Sequence, residues 1–185
     1  MKHICVFCGS SSGERPTYAD AARRFGAALA RRRLGLVYGG GHIGLMGAVA
    51  DAVLENGGTA VGVIPRFLVE KELAHRGLTE LVVVDTMHQR KAVMAERADA
   101  FAVLPGGFGT GDELFEILTW AQLGLHTAPI GLLSVAGFFD PLLSWLDHCV
   151  REGFVRSDDR SLLLHAADAD ALLEMLMHRL PGRNS

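Results

Sequence analysis

The sequence predicts an α/β fold, a doubly wound parallel sheet with helices on both faces. Short apolar runs alternate with amphipathic helical segments of roughly 10 to 18 residues, the pattern of parallel strands joined by crossover helices. Two of those runs end in glycine-rich turns, Gly39-Gly40-Gly41 and Gly106-Gly107, each leading into a helical pattern. Such turns belong at the carboxyl ends of strands, where open α/β sheets bind ligands. The 185 residues, 49% of them hydrophobic, match one compact domain over 1–185.

The first strand is expected near 3–8, where Ile4-Cys5-Val6-Phe7-Cys8 is continuously apolar, as a strand covered on both faces must be. Cys5 and Cys8 form a C-x-x-C, but an odd spacing within a strand turns the two thiols to opposite faces, so both read as core. Pro16 suits the first position of a helix over 16–33. Its basic end, Arg31-Arg32-Arg33, reads as a solvated face and a favourable C-terminal charge. Strands near 35–38 and 59–64 flank a helix over 43–56, and Val69 to Thr79 reads as a loose loop. Strands near 81–84, 99–104 and 129–133 then alternate with helices near 87–97, 111–123 and 139–151. A last helix is expected over about 168–180, followed by a loose end, Arg183-Asn184-Ser185.

The net charge of −3 offers no electrostatic footprint for nucleic acid or an anionic membrane. No stretch approaches the roughly 18 apolar residues of a membrane helix, and the apolar start is too short for a signal peptide. A cytoplasmic location is expected. Three cysteines, an odd number, fit no disulfide framework. The eight histidines are scattered without ligand spacing, so no metal is expected.

The most informative stretch is Pro105-Gly106-Gly107-Phe108-Gly109-Thr110-Gly111-Asp112-Glu113, between the apolar run Phe101 to Leu104 and the helical pattern Leu114, Phe115, Ile117, Leu118. Glycines before a helix let an anion reach unpaired backbone N–H groups at its positive end. Glu113 adds a carboxylate that phosphate binding alone would not favour. Thr110-x-x-Glu113 is equally a capping box by its spacing. The second turn, Gly39-Gly40-Gly41-His42-Ile43-Gly44, fits G-x-G-x-x-G, yet it follows the second strand and lacks the ribose-binding acid of a dinucleotide site. With no lysine after its glycines it is no P-loop. It reads as a second set of backbone donors sharing a nucleotide with Gly106 to Thr110, with Ser10 and Ser11 lining the same crevice. Gly9-Ser10-Ser11-Ser12-Gly13 matches a nucleophile elbow, for which Asp158 and His165 would complete a triad, but Pro16 starts its helix too late.

Pro-Gly-Gly-x-Gly-Thr-x-x-Glu is the signature of the LOG family, the cytokinin riboside 5′-monophosphate phosphoribohydrolases often labelled lysine decarboxylases, and the chain resembles that family over roughly residues 3 to 155. The resemblance continues through Cys5-Val6-Phe7-Cys8-Gly9-Ser10-Ser11, Val37-Tyr38-Gly39-Gly40-Gly41, Gly44-Leu45-Met46-Gly47, Met87-His88-Gln89-Arg90-Lys91 and Trp120-Ala121-Gln122-Leu123-Gly124. It implies a Rossmann-like fold and a cofactor-free hydrolase that cleaves an adenine-type nucleoside 5′-monophosphate, including N6-modified cytokinin precursors, into base and ribose 5-phosphate. Arg90 and Glu113 are catalytic by that resemblance; from spacing alone Arg90 would be a helix-surface arginine. Substrate contacts are expected from Ser10, Gly39, Gly40, Gly41, Gly44 and Met87, and from Lys91, Gly106, Gly107, Gly109, Thr110 and Glu116. A nucleotide-binding carrier without turnover is the competing reading. The decarboxylase label finds no support, since none of Lys2, Lys71 and Lys91 sits in a cofactor setting.

Two departures stand inside the signature: Gly111 replaces the usual apolar residue and Asp112 the usual glutamate. A glycine in the first helical turn is expected to loosen Glu113. Finally, the helix from Asp112 to Leu123 is apolar on nearly every side and so must be covered on both. A homodimer is expected, with the chain's own last helix as the other possible cover.

Overall fold

The computed structural model, which describes residues 1–71 and 73–180, has seven parallel strands in the order β4-β3-β2-β1-β5-β6-β7. They are β1 (His3–Phe7), β2 (Gly35–Tyr38), β3 (Ala60–Pro65), β4 (Glu80–Val84), β5 (Ala100–Val103), β6 (Ile130–Leu133) and β7 (Leu163–Ala166). The longer helices are α1 (Pro16–Arg31), α2 (Gly44–Glu55), α4 (Met87–Glu96), α5 (Phe108–Gln122), α6 (Asp140–Arg151) and α8 (Ala169–His178). Two short ones, α3 (Arg66–Val69) and α7 (Ser157–Arg160), and a single 3-10 turn at Val135–Gly137 complete the set among the described residues. The doubly wound sheet is thus as expected, with one strand more. β7 escaped notice because only Leu163 and Leu164 of its four residues are buried; an edge strand carries no long apolar run.

Strand order reverses beside β1, where the chain builds β2, β3 and β4 to one side and β5, β6 and β7 to the other. That switch point opens a crevice between the ends of β1 and β5. The Gly9 amide donates to Pro105 O across it at 3.0 Å.

Each sheet face carries its own apolar layer. Phe25, Leu29, Val49, Val53, Leu172 and Leu176 of α1, α2 and α8 pack on one face. Met94, Leu114, Ile117, Leu143 and Leu146 of α4, α5 and α6 pack on the other. Cys8 belongs to the first layer and Cys5 to the second, as their spacing predicted. Because α8 lies with α1, it leaves the outer side of α5 uncovered: Phe115 and Leu123 are exposed there, and Phe115 meets exposed Trp145 of α6 edge-to-face at 5.9 Å.

Two expectations need correction. The arginines ending α1 are not merely solvated: Arg32 lies 2.9 Å from Asp170 and 3.5 Å from Glu174, joining α1 to α8. Nor is the segment after α3 a loose loop. Leu73 O accepts from the His42 amide at 3.1 Å, the His75 amide donates to Gly40 O at 2.9 Å, and the His75 ring stands 2.8 Å from Asp51. Residues 73–75 strap the glycine turn after β2. The expected loose end, Arg183-Asn184-Ser185, lies outside the described residues. Among the described residues no helix is long and apolar enough to cross a membrane.

Candidate active site

α4 is started by a capping box one strand away from the one expected. Thr86 Oγ1 accepts from the Gln89 amide at 3.1 Å, while Gln89 Oε1 accepts from the Thr86 and Asp85 amides at 3.3 and 2.9 Å. This fixes the first turn and sends Arg90, its fourth residue, inward over the ends of β2 and β3. Arg90 Nε donates to Val63 O at 3.1 Å, Nη2 to Gly39 O at 3.2 Å, and Nη1 faces Met87 Sδ at 3.8 Å. The helix-surface reading from spacing is wrong, for Arg90 is 8% exposed. Gly39 makes room for it: a Cβ there would fall 1.8 Å from Nη2.

α5 begins three residues before the sequence suggested. Gly107 is its N-cap with no side-chain cap, so Thr110 and Glu113 lie within the helix rather than forming a capping box. The Gly111 amide closes the first turn on Gly107 O at 3.0 Å, so this glycine leaves the turn intact. Ahead of it, the amides of Gly107, Phe108, Gly109 and Thr110 meet no acceptor among the described residues. They converge at the positive end of a 15-residue helix, the geometry of an anion site. At α2, by contrast, the Leu45 and Met46 amides both donate to Gly9 O, at 3.0 and 3.3 Å. That helix end is turned on the protein itself.

Glu113, one turn into α5, is 7% exposed. Its Oε1 stands 3.9 Å from Arg90 Nη1. Burial pushes its carboxyl up to about 7, against the lowering pull of Arg90 and Lys91 and with the help of Asp112 and Glu116. A buried carboxyl that exchanges its proton near neutrality, held beside a fixed cation, can act as a base or stabilise positive charge.

These groups meet in a cavity of about 310 Å³ at the switch point. Of the residues singled out in the sequence, Ser10, Gly39, Gly41, Met87, Arg90, Gly107, Gly109, Thr110 and Glu113 line it. Gly40, Gly44, Gly106, Lys91 and Glu116 do not. Gly44, at φ +63°, packs so tightly that a Cβ would lie 2.3 Å from the Ser10 carbonyl carbon, and Gly106 lies under Thr110 Oγ1. The lack of a side chain at both positions lets chain segments approach. Lys91 Nζ is held by Asp112 and Glu116. Ser11, the would-be nucleophile, accepts from the Gly13 amide in an exposed turn before α1, with no helix starting at it.

The apolar wall of the cavity, Ile43, Met46, Ile64, Leu68 and Leu73, was not among the expected contacts, nor were Cys8, Phe108 and Asp112. Leu68 and Leu73 come from α3 and the strap, which carry no motif. Phe108 occupies the variable place of the signature and is fully exposed at the rim. Among the described residues no cluster of three or more His, Cys, Asp or Glu side chains is placed to hold a metal.

Comparison with known proteins shows the family to which the chain belongs. A family model described as "possible lysine decarboxylase" matches residues 46–176. The cytokinin riboside 5′-monophosphate phosphoribohydrolase LOG2 of Arabidopsis thaliana is 49% identical over 181 residues, covering 98% of this chain and 85% of that protein. The chain belongs to the LOG family. LOG7 of the same plant is 50% identical over 176 residues, 95% of this chain and 81% of its own. The rice enzyme LOG, from Oryza sativa subsp. japonica, is 48% identical over 181 residues, 98% and 75%.

Solved structures extend the likeness of this LOG-family chain in fold alone. A molybdenum cofactor binding protein from Rippkaea orientalis superposes with a TM-score of 0.74 at 17% identity, over 98% of this chain and 99% of that one. The molybdenum cofactor carrier protein of Chlamydomonas reinhardtii gives 0.73 at 19%, over 97% and 98%. The decarboxylase wording of the family model has no counterpart in the site, where Lys91 is engaged by two carboxylates.

Proposed function

We propose that this chain hydrolyses the N-glycosidic bond of adenine-type nucleoside 5′-monophosphates, N6-modified cytokinin precursors among them, releasing free base and ribose 5-phosphate. One observation carries the reading: the buried Glu113 carboxyl and Arg90 face the cavity one helical turn beyond four free amides of α5. The 5′-phosphate occupies that helix end, which places the ribose against Glu113. As the bond to the base breaks and its electron pair leaves with the base, positive charge grows on the sugar; the carboxylate stabilises it, takes the proton of the attacking water and returns that proton to the departed base, which restores the carboxylate. Arg90, always charged and fixed by two backbone carbonyls, holds a ribose or phosphate oxygen and orients Glu113. Ser10, Gly107, Gly109 and Thr110 surround the phosphate, and the apolar wall from Ile43 to Leu73 receives the base. No step calls for a cofactor or metal.

A second copy of the chain covers the outer side of α5 and α6, where Phe115, Trp145, Leu123 and Phe154 are exposed. The protein acts in the cytoplasm, with no nucleic acid or membrane as partner. The deciding experiment incubates purified protein with AMP, an N6-prenylated AMP and their nucleosides, and identifies the products. Equal release of base and ribose 5-phosphate is expected. A nucleotide that binds and is recovered unchanged would make the protein a carrier.

A further inference from the structure

Between α4 and α5 two cations face three carboxylates. Arg90 and Lys91 are consecutive on α4; Asp112, Glu113 and Glu116 lie on α5. Arg90 and Glu113 meet in the cavity. Lys91 points elsewhere: its side chain is 10% exposed, and its Nζ is 3.0 Å from Asp112 Oδ2 and 3.1 Å from Glu116 Oε2. Asp112 and Glu116 are four apart on one helix face, so a single ammonium grips the turn that carries Glu113.

Building on the function proposed above, we propose that Lys91 is a positioning residue rather than a phosphate contact: it pins the turn from Asp112 to Glu116 onto α4 and so sets both the Arg90–Glu113 spacing and the charge around Glu113. Two of its three ammonium donors are taken by carboxylates. It does not line the cavity, whereas Asp112 does. An ammonium so enclosed would leave two carboxylates unpaired if it turned to a substrate, which makes it a poor phosphate donor. The ionisable groups facing Glu113 are Arg90 and Lys91 from α4, Asp112 and Glu116 from α5, and the thiols of Cys5 and Cys8 from β1 and its end. Burial raises both thiols, which keeps them neutral. The two cations favour the Glu113 carboxylate and the two acids oppose it.

The bridge therefore has a signature. Lys91→Met should move the Glu113 titration to higher pH, and Asp112→Asn should move it to lower pH. The test follows the Glu113 carboxyl by 13C NMR in the full chain and in both variants, beside kcat and KM for a nucleoside 5′-monophosphate and its nucleoside across pH. Lys91→Met is expected to lower kcat by at least about tenfold through misplacement of Glu113, by the same factor for both substrates. Lys91→Arg should recover part of that loss. A Lys91→Met variant that raises KM for the monophosphate alone, with the titration unmoved, would make Lys91 a phosphate contact and overturn the proposal. Should Lys91→Met fail to fold, Asp112→Asn decides alone, and an unshifted titration in it overturns the proposal. Absence of base release from the wild-type protein would instead overturn the function, while the NMR titrations would still judge the bridge.

Discussion

Glu113 and Arg90 face each other at 3.9 Å, with side chains 9% and 10% exposed, across the gap between α5 and α4. The separation is wider than a hydrogen bond, so the two groups are not bonded to each other, and an oxygen of substrate or water approaching from the cavity can contact both from the side.

Replacing Glu113 by Gln keeps the shape and removes the charge. Base release is expected to fall at least about a hundredfold, because preorganised charge stabilisation is worth several kcal/mol. Arg90→Ala should lose as much. Turnover near the wild-type rate in a variant with a normal melting curve would remove that residue from the chemistry.

The same carboxyl governs pH dependence. Burial holds Glu113 at about 7, so between the ordinary carboxylate value of about 4.3 and that point the folded protein keeps a proton that the unfolded chain has lost. Stability contributed by this group falls as pH rises through that window and levels off above it. Glu113→Gln should therefore melt above the wild type at pH 8, by up to about 4 kcal/mol at 1.36 kcal/mol per unit, and the gap should close near pH 5. Catalysis runs the other way, with base release rising through about pH 7 as the carboxylate forms. Melting and rate series over pH test both halves.

The amides of Gly107 to Thr110 have no protein acceptor among the described residues and stand ready to hold an anion. Removing the 5′-phosphate is expected to lower cleavage efficiency by orders of magnitude, since that binding energy positions the ribose. A nucleoside cleaved as well as its monophosphate would leave the helix end as a mere turn.

Two glycines near the site should respond oppositely to alanine. In Gly39→Ala the added carbon overlaps the Arg90 guanidinium, so activity should collapse in a folded protein. At Gly111 nothing lies within 4 Å of a Cβ, and Gly111→Ala should keep activity while adding up to about 1 kcal/mol of stability. Melting curves and turnover of the two variants provide the comparison.

For assembly, light scattering at micromolar concentration should report a dimer. Trp145→Asp, which puts a charge into the exposed apolar side of α6, should shift the mass to that of one chain. A wild-type monomer would rule the dimer out.

What the sequence by itself determined is what local pattern controls. Continuous apolar runs marked six of the seven strands, glycine turns marked the strand ends that open on the crevice, and the signature marked Glu113, because each is a property of neighbouring residues. The tertiary structure decided where long side chains point. Arg90, a surface residue by spacing, is buried because Val63 O and Gly39 O, far from it in sequence, accept its protons. Lys91 looked equally available to a phosphate until α5 brought Asp112 and Glu116 to it. Thr110 and Glu113 looked like a cap until the helix began at Phe108. Which partner a charged side chain takes depends on which elements pack together, and no spacing along one element encodes that.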